Sequence, residues 1–159
     1  MVRTVRKIRG GFTLIEILIV VIILGILAAI VIPQFSSASN DARTSNVQTT
    51  VQTLRSQIAL YKLQHADTLP ALVTDWTQFL SKTDIAGALN PAAGVQSFGP
   101  YMQDTPVNSL NSKSNVLNGD GATNPVTTAC GFVYDYGTSG SGSGKIWGTK
   151  ADGKALIIP

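Results

Sequence analysis

The sequence predicts an α+β fold: a long N-terminal α-helix, apolar in its first half and amphipathic in its second, packed on a small antiparallel β-sheet head. Three observations predict it. Between residues 12 and 32 the only polar side chains are Thr13 and Glu16. From Val47 to Tyr61 apolar residues recur at spacings of four and three. Near the end of the chain, short aromatic and β-branched stretches alternate with Gly and Ser.

Length and charge limit the alternatives. A chain of 159 residues suits one domain, and an apolar fraction of 44% is ordinary for a globular protein. The net charge of +3 is misleading, because Arg3, Arg6, Lys7 and Arg9 crowd the first eleven residues without an acid. Beyond them 8 basic and 9 acidic residues remain. A near-neutral body lacks the basic patch that phosphate backbones attract, so nucleic acid is not an expected partner.

The first element is the apolar run. Residues 12–32 make 21 positions, and about 20 apolar residues span a bilayer as a helix. The basic leader would stay on the cytoplasmic side. An ordinary secretory signal is the competing reading. It needs a shorter apolar region, about 7–15 residues, then small residues at a cleavage site. Ser36 and Ala38 offer such a site. Glu16 is an acid placed where a membrane makes it costly, which marks it as a functional candidate. A Glu in a first helical turn is also favoured by the helix dipole.

Gly25 and Pro33 are expected to interrupt the helix. Proline removes a backbone donor and kinks a helix, and glycine is a poor helix former. After Pro33, the stripe Val47, Val51, Leu54, Ile58 and Tyr61 marks one helical face, with Asn40, Arg43, Gln48, Gln52, Arg55 and Lys62 largely elsewhere. One helix is therefore expected over about residues 12–64. The stripe is too short, and too poor in flanking charges, for a coiled-coil seam.

A second helix is expected over 70–81, with Pro70 in its first turn and Trp76 and Phe79 turned into the core. Residues 87–128 hold Pro91, Pro100, Pro106 and Pro125 among many Asn, Ser and Gly, and read as loops. Residues 131–136, 145–149 and 155–158 read as strands, the first two joined into a hairpin by the Gly/Ser loop 137–144. Cys130 is the only cysteine. It forms no internal disulfide, and its neighbours Phe132 and Val133 place it inside.

Catalytic material is thin. His65 is the single histidine, and neither GxSxG nor HExxH occurs. The loop 140–145 superficially matches a phosphate loop. Ser139 stands where the first glycine is required, and Ile146 replaces the Ser or Thr that would meet magnesium. No enzyme activity is expected.

Residues 7–20 read K-x-x-G-G-F-T-L-I-E-I-L-I-V. This resembles the prepilin (class III) signal of type IV pilins and type II secretion pseudopilins, densely over residues 7–45 and thinly beyond. The resemblance implies a leader 1–11 removed by a prepilin peptidase between Gly11 and Phe12. It implies N-methylation of Phe12, and a transmembrane and assembly helix over 12–33. Residues 34–159 would form a periplasmic pilin-like head that includes the amphipathic half of the helix. Glu16, fifth in the mature chain, would neutralise the amino terminus of Phe12, often that of a neighbouring copy. The stretch between Gly25 and Pro33 would unwind in filaments.

The implied partners are copies of itself in a helical filament, the peptidase, an inner-membrane assembly platform and membrane lipid. The implied place is the inner membrane, single-pass, with the head in the periplasm.

Within the family, Tyr61-Lys62-Leu63 followed by Leu69-Pro70 resembles major pseudopilins of type II secretion, which favours a pseudopilus subunit that supports protein export. Gly99-Pro100-Tyr101 and Gly131-Phe132-Val133-Tyr134 are similar to other pilin-like heads. The alternatives are a type IV pilus subunit, serving adhesion, twitching or DNA uptake, and a membrane-tethered binding domain that never polymerises. The paired cysteines of many type IV pilin heads are absent. So is a clear acidic calcium loop. Asn118, Gly119, Asp120 and Gly121 come nearest, but calcium takes 6–8 oxygens and one carboxylate among amides is a poor site. A turn is the expected reading there, and no metal or other cofactor is expected.

Overall fold

A computed structural model describes residues 11–121, 128–137 and 140–157. The leader residues 1–10, Pro125 with the loop 122–127, Ser139 and the last expected strand residue, Ile158, lie outside the described residues. Helix α1 runs Leu14–Gln64, and α2 is a single turn, Thr77–Leu80. The strands are β1 (Val116–Asn118), β2 (Phe132–Tyr134), β3 (Ile146–Thr149) and β4 (Leu156–Ile157). The chain divides into two compact units, one up to Ser39 and one from Asn40 onward.

The second unit is the head. All five stripe residues of α1, Val47, Val51, Leu54, Ile58 and Tyr61, are buried there. They meet Phe132, Tyr134, Ile146 and Ile157 of the sheet in one apolar cluster. Alternation along the strands sends the other residues to the opposite face, where Val133 and Leu156 pack with Cys130, Leu117 and Trp147. Gly148 of β3 faces Val47 and Val51 of α1 closely. A Cβ there would lie 2.4 Å from Val47 Cγ1, so a larger residue requires Val47 to shift.

The sheet order is β1-β2-β3-β4. Strands β2, β3 and β4 pair antiparallel, with Phe132 opposite Gly148 and Thr149 opposite Leu156. The expected all-antiparallel sheet needs one correction, because β1 pairs with β2 in parallel. The connection over 119–131 supplies the dozen or so residues that a parallel crossover requires.

The second helix also needs correction, since the span 70–81 forms only the turn Thr77–Leu80. Asp75 explains the late start. Its carboxylate accepts from the Thr77 N–H at 2.8 Å and from the Thr77 hydroxyl, which favours a turn over continued helix. The apolar residues still arrive inside. Phe79 is fully buried, and Trp76 meets Phe132 edge to face at 5.8 Å while its indole N–H donates to the Ser114 carbonyl at 2.7 Å.

Candidate functional site

The first unit is the start of α1. Gly11 and Phe12 precede the helix in non-helical backbone, both exposed, with nothing within 4 Å of a Cβ placed at Gly11 among the described residues. The first helical turn is closed by two side chains. Thr13 Oγ1 accepts from the Glu16 N–H at 3.3 Å. Glu16 Oε2 accepts from the Thr13 N–H at 2.8 Å and from the Thr13 hydroxyl at 2.7 Å. This is a reciprocal capping box: the residue before the helix and the third residue within it satisfy each other's orphan groups. Both bonds to the carboxylate fall on Oε2. No bond within the chain is made by Oε1 among the described residues.

Thr13 carries this arrangement and was not singled out from the sequence. The signal was present as T-x-x-E directly before an apolar run. The structure brings Thr13 and Glu16 together. Gly25 and Pro33 lie within α1, which is helical through both in the single chain.

Along this segment the large apolar side chains are exposed. Exposure runs from 40% at Val31 to 84% at Leu14, and Phe35 is 73% exposed. α1 is the one described helix long and apolar enough to cross a membrane.

The other candidates from the sequence have structural places. His65 is fully buried, stacked on the Tyr61 ring at 3.7 Å. Its Nδ1 lies 2.9 Å from the Tyr61 carbonyl, which can only accept, so Nδ1 carries the hydrogen. Its Nε2 lies 2.9 Å from the Thr83 hydroxyl. Cys130 is buried as expected, and burial pushes its thiol pKa up. Asn118 Nδ2 donates to the Gly137 carbonyl at 2.8 Å, and its Oδ1 accepts from the Tyr136 N–H at 3.1 Å. Its amide thus ties the end of β1 to the turn after β2. No group of three or more His, Cys, Asp or Glu is placed to hold a metal among the described residues.

Comparison with known proteins points to the same segment. The prokaryotic N-terminal methylation motif matches residues 6–32. The type II secretion system core protein G of Pseudomonas aeruginosa is 42% identical over 60 residues, which are 38% of this chain and 42% of that protein. The type IV narrow pilus major component of Thermus thermophilus is 44% identical over 54 residues, 34% of this chain and 47% of that protein. The chain thus spans less than half the length of these two relatives. The type IV major fimbrial protein of Dichelobacter nodosus extends further, at 31% identity over 106 residues, 62% of this chain and 67% of that protein. No solved structure matches the chain. With a methylation motif at its start, a long apolar helix behind it and a fimbrial relative matched over most of its length, the chain belongs to the type IV pilin-like family.

Proposed function

We propose that this chain is a structural subunit of a type II secretion pseudopilus, an envelope filament that supports protein export, and not an enzyme. The carrying observation is the unpartnered apolar segment 12–32 headed by a capped Glu16. A surface so apolar needs lipid or like helices around it. The leader 1–11 is cut by a prepilin peptidase between Gly11 and Phe12, and the exposed, non-helical peptide there supports that reading. The new Phe12 amine is methylated. The subunit first spans the inner membrane with its head in the periplasm, then an inner-membrane platform passes it into the filament. In lipid the helices associate by packing and polar pairing, not by exclusion of water.

Glu16 sets the axial register. Its Oε2 stays on Thr13 while Oε1 takes the amine of a neighbouring copy. The free energy of an unpaired acid in the apolar layer makes that pairing favourable. A non-closing, head-to-tail contact of this kind yields an open filament. Gly25 and Pro33 bound a stretch whose helix opens on assembly, because one is a poor helix former and the other lacks a donor.

Mass spectrometry of the native protein tests the processing: the expected chain starts at a methylated Phe12, and a start near residue 38 would restore the secretory-signal reading. Glu16→Ala tests assembly. Cross-linked oligomers should vanish while the monomer accumulates in the membrane, and unchanged cross-linking would leave a tethered binding domain as the better account.

The match to a fimbrial protein over 67% of that relative supports a second reading, a type IV pilus subunit. Deleting the gene separates the two. Lost export with surface fibres intact favours the pseudopilus. Lost twitching, adhesion or DNA uptake favours the pilus.

A further inference from the structure

Charge in the head is unevenly placed. The helix enters this unit at Asn40, and β3 runs back along it toward that end. A Cβ at Gly144 would lie 3.7 Å from Ile58, the Ile146 carbonyl accepts from Arg55 Nη2 at 3.1 Å, and a Cβ at Gly148 would meet Val47. Lys150 therefore emerges beside the entry point. Arg43 is already there, its carbonyl accepting from Ser109 Oγ at 3.0 Å. The loop that holds Ser109 closes on Lys113, whose carbonyl accepts from the Asn108 N–H at 2.9 Å. The same loop reaches β3 through Asn111 Nδ2, which donates to the Lys150 carbonyl at 3.1 Å. The Lys150 N–H donates to the Ala155 carbonyl at 2.7 Å, which folds Lys154 into the same turn.

Arg43, Lys113, Lys150 and Lys154 thus share one end of the head, all exposed. The acids within two residues of these cations are Asp41 and Asp152, and the Asp152 carboxylate accepts from the Lys154 and Ala155 N–H groups. Counted with these neighbours, this end carries four cations against two acids. From Asn40 onward the chain has eight cations and eight acids, so the excess here is a deficit elsewhere.

We propose that this end of the head is a contact surface for anionic phospholipid headgroups. The proposal rests on the membrane reading above. Eleven residues of chain join Ile32, the last of the apolar run, to Arg43. The headgroup layer extends about 5–8 Å beyond the hydrocarbon. So short a covalent link to the apolar run favours lipid over an acidic partner arriving from solution. Juxtamembrane cations of this kind hold a domain against an anionic leaflet and lose their grip in salt. The contact would seat the head before assembly and release it when the helix is lifted out.

The test uses the full-length chain, at one copy and at several copies per nanodisc, in phosphatidylcholine alone and with about one-third phosphatidylglycerol, a surface negative enough for such attraction. Amine acylation is followed lysine by lysine. Lys113, Lys150 and Lys154 should react about fivefold more slowly on the anionic discs, and about 0.5 M NaCl should erase the difference. Lys62 and Lys82, at the far end of the head, serve as controls and should react alike in all discs. The double variant Lys113→Gln, Lys154→Gln should lose part of the protection at Lys150. Equal rates on both discs would overturn the proposal, as would full protection in the variant. Protection that follows the number of copies per disc and ignores phosphatidylglycerol would also overturn it, in favour of a second copy of the chain. Failure to enter discs at all would sink the membrane reading with it.

Discussion

Glu16 does two jobs that single substitutions can separate. It caps the helix through Thr13, and by proposal it pairs with a neighbouring amine. Thr13→Val removes the hydroxyl that accepts from the Glu16 N–H and donates to its carboxylate. Losing such a cap costs about 1 kcal/mol, so amide exchange of the first helical turn in micelles should quicken about fivefold. Glu16→Gln keeps an acceptor on Thr13 but removes the charge. It should leave that exchange nearly unchanged and still abolish assembly. If Gln assembles normally, charge pairing is not what sets the register.

Tyr134 offers a second residue-scale prediction. Its hydroxyl is buried with no hydrogen-bond partner among the described residues, and burial pushes its pKa well above the ordinary phenol value. An unmet buried hydroxyl costs about 1–3 kcal/mol. Tyr134→Phe should therefore raise the thermal midpoint of the head, and a clear fall would mean that the hydroxyl has a partner, such as bound water.

At the scale of elements, α1 was legible because its signals are long and of two distinct kinds. Unbroken apolarity identified the first half, and a repeat of fours and threes identified the second. The same repeat runs one step past Tyr61 to His65, so the burial of that histidine was also legible, though polarity disguised it. Strand β1 was not legible. Its three residues sit in a Pro- and Asn-rich stretch, and they are held by a parallel partner and by Asn118 at the strand end, neither of which leaves a periodic trace. The short α2 failed differently. Apolar spacing suggested three turns, but spacing reports which residues face the core, and turns can satisfy it as well as a helix. The capping box is written in the sequence as Thr13-x-x-Glu16 directly before the apolar run. Gly148 was invisible for a tertiary reason, as only the approach of Val47 requires it. Gly148→Ala should cost about 1–3 kcal/mol by overpacking, read as a lower denaturation midpoint. A cost near zero would show that Val47 can move aside.

For the molecule as a whole, the balance of charge makes acid the informative variable. Three aspartates pin turns of the head, and all three are held below the ordinary carboxylate value of 3.8. The Thr77 hydroxyl and N–H do this for Asp75, and the Ser143 hydroxyl and N–H for Asp135. The Lys154 and Ala155 N–H groups do it for Asp152. A depressed folded pKa stabilises the fold above the unfolded value, and that contribution disappears as pH falls through the folded value. Unfolding of the head in detergent should therefore begin at lower temperature near pH 3 than near pH 7, by an amount limited by the exposure of these groups. Acid also neutralises up to eight carboxylates beyond Asn40 and leaves eight cations, so self-repulsion adds to the loss. The two contributions separate in salt. Screening relieves repulsion, whereas a hydrogen bond lost to protonation does not return. The expected result is partial recovery of the midpoint in high salt at acid pH. Complete recovery would assign the whole effect to net charge, and no loss in acid would show that these turns do not hold the head together.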